Sequence, residues 1–485
     1  MNLEQAFLDD IRANLEDDTP RLIFADWLDD RGDEARAEFI RVQCRLARLK
    51  SYDPEAIPLW VRQQDLLAEH GKKWKKPLAN ITTRCEFERG FLSRVEVTAA
   101  KFVSHGEEIR SRIPLRYLGV FQTNKDWSKF LACETLHGVP ALDLSSTRLG
   151  MKRGIELARC PHLSGLRELD LSHSQLRERG VQALVTSDTL QSLRSLDLSS
   201  NYLPDASLLH WPVDTLPELR QLSLLGNLLS EVSVRPLVAW QGRERLERLS
   251  LYLRNASDVV PFLQADWPRL DHLTLVTSSA QFDHFHQELL AGPNFASLRE
   301  LTLHTNFAEG LRPLLHRPAF TRLQSLNLNF RNRMLETEAQ ALLRSPVLTH
   351  LQALCLHGDG SLVTFLQSAP LDSLTELHII GGPATELAMG LAMNPALGNL
   401  RRLSLVHGSL STRGLLVLAD CEALHHLVDL DLSWNNLGPD CLPLLTRPRL
   451  WPHLRRLRLA GLSDLNPATL GLLHERFGAH VVETR

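Results

Sequence analysis

The sequence has few cysteines, and their spacing does not suit metal binding or disulfide pairing. The 485-residue chain holds seven cysteines, which are scattered, odd in number and never spaced as Cys-x-x-Cys. Zinc sites and disulfide-rich domains show paired cysteines at short, regular spacings. We therefore expect reduced thiols that are mostly packed in the interior, with no disulfide framework, no metal site and no cofactor.

Long apolar runs are also missing. No stretch approaches 18 consecutive apolar residues, so the sequence predicts no membrane-spanning helix. The first ten residues have neither the basic start nor the apolar core of a signal peptide. Together with the reduced cysteines, these absences predict a cytoplasmic protein without a membrane partner.

Neither sign of charge dominates. The chain has 54 lysines and arginines against 57 acidic residues, a net charge of −3. Proteins that bind nucleic acid usually carry a basic face. The one candidate is the short run from Lys72 to Lys76, which we interpret as the solvated end of a helix. We expect no nucleic-acid partner.

Common catalytic motifs are absent as well. The chain lacks the phosphate-binding GxxxxGK[ST] loop and the hydrolase signatures GxSxG and HExxH. Histidines cluster at 284–286 and 425–426, but a metal site needs three or four converging ligands. We interpret these histidines as surface residues and expect that the protein is not an enzyme.

What the chain does contain is one short phrase repeated fifteen times: apolar, two variable residues, apolar, one variable residue, apolar. The clearest copies are 166–171, 193–198 and 427–432. Its closing alternation has the period of a strand with one buried face. Apolar runs that follow, such as 180–184, fit a helix packed back on the strand. The copies begin at 92, 115, 139, 166, 193, 219, 246, 270, 298, 323, 351, 374, 400, 427 and 454, which are 23 to 28 residues apart.

This pattern resembles the leucine-rich repeats, and the spacing is similar to the ribonuclease-inhibitor-like type. The resemblance implies an α/β solenoid over residues 91–462, a curved horseshoe with a parallel sheet on the concave face and helices on the convex face. Such repeats usually place an inward asparagine three residues after the last strand leucine. That position holds Asn201, Asn227, Asn306 and Asn435, but other residues in the remaining copies. We expect less regular loops over about 246–400.

The segments outside the repeats predict terminal domains. Residues 1–50 show apolar residues at helical spacing and predict a small helical domain. Residues 51–90 predict a helical linker and N-terminal cap. Residues 463–485 predict a C-terminal cap, with a helix over about 467–477 and a short strand near 481–482. Solenoids need such caps at their open ends.

The N-terminal domain carries a second resemblance. The segments 21–33 (RLIFADWLDDRGD) and 37–43 (AEFIRVQ) are similar to the bacterial repeat-companion domain, found before leucine-rich repeats in planctomycetes and myxobacteria. The resemblance implies an architecture and a bacterial setting, but no activity. An acidic cluster lies within it, at a spacing unlike that of a calcium loop, so we interpret it as a solvated helix face. Its members are Asp26, Asp29, Asp30 and Asp33.

The variable strand positions outline a candidate binding surface. Asp143, Asp170 and Asp197 occupy the same slot in successive copies and should lie about 5 Å apart. Because like charges this close repel, the pattern indicates either full solvation or a cationic partner. Tryptophan and arginine on an exposed strand are typical binding hot spots. The candidate partner-binding residues on the concave face are Asp143, Asp170, Asp197, Glu168, Tyr252, His304, His378, Asp431, Trp434 and Arg458.

We therefore expect a non-catalytic, monomeric scaffold that binds an unidentified protein partner through the concave face. The alternative is an accessory regulator of an enzyme, either GTPase-activator-like, which would need an arginine near the rim, or adaptor-like. A hydrolase has no supporting group of residues. A purely structural role, with no partner, is also compatible with the sequence.

Overall fold

A computed structural model of the chain describes residues 3–50, 53, 55–209, 211–254, 256–277, 293–305, 320–330, 336–437, 441–445, 451–461, 467–477 and 481–483. The chain forms two compact units. Unit 1 comprises residues 1–50 and 58–270, and unit 2 comprises residues 51–57 and 271–485.

Unit 1 begins with helices, as the apolar spacing predicts. They are α1 (Leu3–Ala13), α2 (Thr19–Asp29), α3 (Glu34–Leu46) and α4 (Ala56–Lys75). The first three share a core that includes Ile11, Phe24 and Ile40, and Phe91 from the first repeat packs into it. The negative charge of the acidic cluster is partly neutralised by an arginine of the same helical domain, since Asp26 and Asp29 both pair with Arg41.

The rest of unit 1 is built on one sheet. Its strands are β1 (Arg84–Glu88), β2 (Phe91–Thr98), β3 (Tyr117–Phe121), β4 (Ala141–Asp143), β5 (Glu168–Asp170), β6 (Ser195–Asp197), β7 (Gln221–Leu229) and β8 (Arg248–Leu253). β1 pairs with β2 in antiparallel orientation, and β2 to β8 pair in parallel, each with the next. One helix follows each of the strands β2 to β8: α5 (Ala99–Arg112), α6 (Trp127–Leu131), α7 (Gly150–Ala158), α8 (Arg177–Val185), α9 (Ala206–Leu209), α10 (Glu231–Ala239) and α11 (Ala256–Gln264).

Unit 2 repeats the same arrangement. Its strands, β9 (His272–Thr277), β10 (Glu300–Thr305), β11 (Ser325–Phe330), β12 (Ala353–His357), β13 (Glu376–Ile380), β14 (Arg402–Val406), β15 (Asp429–Asp431), β16 (Arg456–Arg458) and β17 (Val482–Glu483), pair in parallel in this order. Its described helices are α12 (Glu336–Leu343), α13 (Leu362–Ser368), α14 (Ala384–Ala392), α15 (Thr412–Asp420), α16 (Leu442–Leu445) and α17 (Pro467–Phe477). The C-terminal helix and last strand lie where the sequence predicts them.

Each of the fifteen phrases contributes one strand, and the alternation decides which side chains are buried. In β8, Leu249, Leu251 and Leu253 are buried, whereas Ser250 and Tyr252 between them are partly exposed. Burying these leucines against neighbouring copies contributes roughly 1.5–3 kcal/mol for each side chain. The predicted fold class, an α/β leucine-rich repeat solenoid, is confirmed.

Buried asparagines join successive copies after the strands. The Asn201 amide donates to the Leu171 carbonyl at 2.8 Å, and its Oδ1 accepts from the Ser174 and Leu176 N–H groups. Asn227 and Asn435 make the corresponding bonds in their own copies. Such bonds satisfy loop groups that would otherwise be buried without a partner. Asn306 and most of the irregular loops expected over 246–400 lie outside the described residues.

Several of the described turns after strands contain a left-handed residue two positions beyond the last strand leucine. Side chains in that conformation are strained, so glycine is the residue that adopts it most easily. Here five non-glycine residues adopt it, with φ between 54° and 60°. They are Ser146, His173, Ser200, His407 and Trp434.

The N-terminal helices are fixed to the β1–β2 hairpin by buried polar bonds. Asp18 is only 2% exposed and pairs with Arg48 and Arg89, each at 2.7 Å. Gln43 Oε1 accepts from the Gly90 N–H at 2.7 Å. Gly90 has φ +88°, and a Cβ there would lie 2.5 Å from the Ile40 side chain, so only glycine fits. These contacts join the helices to the outer edge of the first repeat. The three boundaries between the four predicted domains stay predictions.

Cysteines, potential metal ligands and helix lengths are defined across the described part of the chain. All seven cysteines are free thiols. Within the described part of the chain, no group of three or more His, Cys, Asp or Glu side chains is arranged to hold a metal ion. None of the described helices is both long and apolar enough to cross a membrane.

Candidate functional site

The strand side chains that alternate with the buried leucines form an exposed surface on each unit, which we call the open sheet face. Its central row consists of the residues between the last two apolar positions of each phrase. Strand pairing places them in register. In unit 1 the row is Glu96, Gly119, Asp143, Asp170, Asp197, Ser223 and Ser250. In unit 2 it is Thr274, Thr302, Asn327, Cys355, His378, Ser404, Asp431 and Arg458.

Asp143, Asp170 and Asp197, the acidic row, are direct neighbours on β4, β5 and β6, as predicted. Each carboxylate also ends its own strand, because its Oδ1 accepts the N–H of the serine two residues later at 2.7 to 2.8 Å. Asp431 makes the same bond to Ser433 in unit 2. The aspartates therefore have a turn-forming role, which the sequence analysis missed.

The acidic row carries unfavourable charge. Burial, together with the charges of Asp197 and Asp143, raises the pKa of Asp170, although its bonds to Ser172 oppose the shift. No lysine or arginine pairs with the three aspartates within the described residues. The Tyr117 hydroxyl donates to Asp143, and the Arg94 guanidinium lies 3.8 Å from the centre of the Tyr117 ring.

Two further predicted residues of unit 1 also lie on the open sheet face. Glu168 is exposed and stands between Ala141 and Ser195 in strand register, so it adds a negative charge beside the acidic row. Tyr252 is partly exposed on β8. Unit 1 thus presents an acidic surface bordered by hydroxyl groups, including Ser199 and Ser223, whose oxygens are 2.7 Å apart.

The predicted residues His304 and His378 of unit 2 are partly buried, as is the nearby His357. Burial lowers the pKa of His304, His357 and His378, so these imidazoles are neutral near pH 7. Cys355 is the register neighbour of His378, but burial raises the pKa of its thiol to about 11. The thiol is therefore protonated near pH 7, and a protonated thiol is a poor nucleophile.

On the last strands of unit 2, the acidic side chains are paired with arginines of neighbouring strands. Arg458 donates to Asp429 at 2.8 Å and lies 3.1 Å from Asp431. Burial raises the pKa of Asp429, and the nearby arginines only partly offset this. Arg402 pairs with Glu376 on the adjacent strand. The predicted residues Asp431 and Arg458 are therefore brought together, but each is engaged by the other.

Trp434 does not lie on a strand, contrary to its predicted place. It follows β15 in the turn, with φ +60°, and is 55% exposed. Its ring stacks on His407 with centroids 5.5 Å apart and planes inclined by 6°. A Cβ at Gly461 would lie 2.3 Å from the indole, so the glycine gives the ring its space. The sequence could have identified His407 as the stacking partner of Trp434, because each of these residues stands two positions after a strand leucine.

One comparison with known protein families identifies part of the repeat region. A family model described as Leucine Rich repeat matches residues 162–185 and 423–440. A search of curated proteins finds no match.

Three solved structures are similar at low identity. A chain of the yeast Rad7–Elc1 complex is 15% identical, with 92% of both chains covered and a TM-score of 0.42. A Leptospira interrogans leucine-rich repeat protein is 16% identical, with 76% of this chain and 90% of that chain covered and a TM-score of 0.34. A Bacteroides fragilis protein is 12% identical, with 57% and 68% covered and a TM-score of 0.31. Likeness at this level says nothing about function.

Proposed function

We propose that the protein is a non-catalytic scaffold that binds a protein partner through the open sheet face of unit 1. The observation that carries the proposal is the acidic row. Asp143, Asp170 and Asp197 lie side by side, and none has a cationic partner among the described residues.

Unit 2 provides the contrast. There, carboxylates on the sheet face are balanced by arginines of the same chain, as in Asp429 with Arg458 and Glu376 with Arg402. Like charges in direct register destabilise a sheet. A partner that supplies lysine or arginine side chains would relieve this repulsion. Ion pairs with a cationic partner favour specificity and fast association.

The remaining predicted residues differ in how available they are to a partner. Glu168 and Tyr252 are available beside the acidic row, and Trp434 is an exposed aromatic of the kind that anchors interfaces. Asp431 and Arg458 would have to exchange their mutual ion pair for bonds to a partner, so we propose a smaller contribution from them. His304 and His378 would act as neutral hydrogen-bonding groups.

The enzyme-regulator alternative needs a free arginine on the rim. Arg458, the arginine predicted for the face, is held by two carboxylates. We therefore favour the scaffold. Our proposal also includes a cytoplasmic, monomeric bacterial protein whose first 50 residues are a repeat-companion domain, in line with the motifs of that segment.

Capture of partners from a lysate of the source organism, followed by binding measurements with the purified partner, tests this function. The test variant combines Asp143→Asn, Asp170→Asn and Asp197→Asn, because asparagine keeps the Oδ1 acceptor of each turn and removes the charge. The control combines Asp188→Asn, Asp214→Asn and Asp266→Asn, three exposed acids in loops of the same unit. We expect a partner that binds the wild type and control and is lost by the test variant. Equal binding by both variants would refute the proposal.

A further inference from the structure

The basic run from Lys72 to Lys76 lies at the end of α4, beside a cavity that the repeats also help to form. The cavity has a volume of about 490 Å³ and is lined mainly by Lys73, Lys76, Pro77, Asn80, Glu108 and Arg112. The first four come from the end of α4 and the loop after it, and the last two from α5. Cations from two separate elements therefore converge on one concave surface.

The cavity carries an excess of positive charge. Glu108 is the acid among its lining residues, and it is already balanced by Arg112 at 2.7 Å. The four lysines of the run form no ion pair with any described residue. Lys101 on α5 adds a further ammonium group, which donates to the Asn80 carbonyl at 3.0 Å.

The helix dipole explains part of this arrangement, since it favours cations in the last turn of a helix. It does not explain the whole. Lys72 and Lys76 stand four positions apart, and like charges at this spacing repel. The cations from α5 belong to another helix. Trp74 packs on Phe39 with ring centroids 4.8 Å apart and so holds the end of α4 in place.

We propose that this cavity binds a compact polyanion with two or more phosphate groups, independently of the open sheet face. Lysine ammonium groups bind phosphate as flexible point charges. Lys73 and Lys76 supply them here, because the Arg112 guanidinium is already engaged by Glu108 and the Pro77 carbonyl. The volume suits a small ligand. An extended nucleic acid or an acidic protein would need a longer basic strip than one cavity and one helix end provide.

Titration calorimetry of the full-length protein with inorganic tripolyphosphate tests the site. We expect saturable 1:1 binding at low salt that weakens as the ionic strength rises. The double variant Lys73→Gln/Lys76→Gln should lose about tenfold or more in affinity. The control Lys125→Gln/Lys129→Gln removes two lysines elsewhere in unit 1 and should bind as the wild type does. All four positions are exposed, so the variants should fold normally.

Three results would overturn the proposal. The first is no tripolyphosphate binding by the wild type at low salt. The second is equal loss of affinity in both double variants, which would indicate a diffuse charge effect. The third is binding of a DNA oligonucleotide or of polyglutamate without binding of tripolyphosphate, which would identify an extended polyanion as the ligand.

Discussion

Trp434 and His407 stack face to face at the turns of adjacent repeats, with ring centroids 5.5 Å apart. Both residues are exposed and both adopt a left-handed backbone conformation. The left-handed backbone recurs at this turn position in other repeats, so it does not set the pair apart. An exposed aromatic surface does, and it is typical of binding hot spots. We infer that the stack contributes to binding more than to stability.

Trp434→Ala should therefore change the free energy of unfolding by less than about 1.5 kcal/mol, the upper value for an aromatic pair. By contrast, Gly461→Ala should destabilise by at least about 1–2 kcal/mol, because alanine is strained at φ +72° and its Cβ meets the indole. Denaturant unfolding of both variants measures this. Gly398→Ala, at an open position with nothing within 4 Å, is the control. Equal stability of the Gly461 and Gly398 variants would contradict the described packing.

Asp170→Asn should stabilise the protein at pH 7 by a few tenths to about 1 kcal/mol, since it removes cross-strand repulsion and keeps the turn bond. The raised pKa means that the folded state holds the Asp170 proton more tightly than the unfolded state. Stability therefore falls as pH rises through that pKa, and the unfavourable contribution is fully present at neutral pH. The free energy of unfolding of the wild type and the variant, measured from pH 7 down to pH 4, should differ less as the pH falls. A destabilised variant at pH 7 would show that the charge is favourable.

Asp18→Asn should have the opposite effect and destabilise the chain at pH 7 by about 3 kcal/mol, because it breaks a buried ion pair. Burial alone would raise the pKa of Asp18, but hydrogen bonds and charges from Arg89 and Arg48 outweigh it and lower the pKa. The stabilisation is thus present at neutral pH and lost as pH falls through the lowered pKa. Denaturant unfolding of the Asp18→Asn variant checks this prediction. The control is Asp30→Asn, which changes an exposed aspartate of the same domain. Equal stability of the two variants would show that the N-terminal helices do not depend on Asp18.

Asn227→Ala should cost about 3 kcal/mol or more, since it leaves buried groups such as the Asn201 N–H and the Leu198 carbonyl without partners. Because each repeat contacts its neighbours, the loss should appear first in nearby copies. Amide hydrogen exchange should show faster exchange in β6, β7 and β8 than in β2 and β3. The exposed Asn436→Ala is the control, and uniform exchange throughout unit 1 would contradict the local role.

The sequence was sufficient to predict the strands, because an alternation with period two and a spacing of 23 to 28 residues allow one arrangement that buries every leucine. It also placed Asp143, Asp170 and Asp197 side by side, since identical slots in successive copies become register neighbours. The terminal helix and strand followed from local patterns.

Other features depend on side-chain conformation and could not be read from spacing. Which arginine reaches Asp429 is decided by how far each side chain extends across the sheet. The position of Trp434 depends on where β15 ends, and strand ends are set by the turn bond of Asp431 to Ser433. The turn role of the aspartates was invisible for the same reason.

Carboxyl footprinting of the protein with and without its captured partner tests the central proposal most directly. A carbodiimide-driven label on aspartate and glutamate is read by peptide mass spectrometry. We predict that binding protects Asp143, Asp170, Asp197 and Glu168, whereas Asp188, Asp214 and Asp266 keep their labelling. Unchanged labelling of the acidic row when the protein is saturated with its partner would contradict binding through the open sheet face of unit 1.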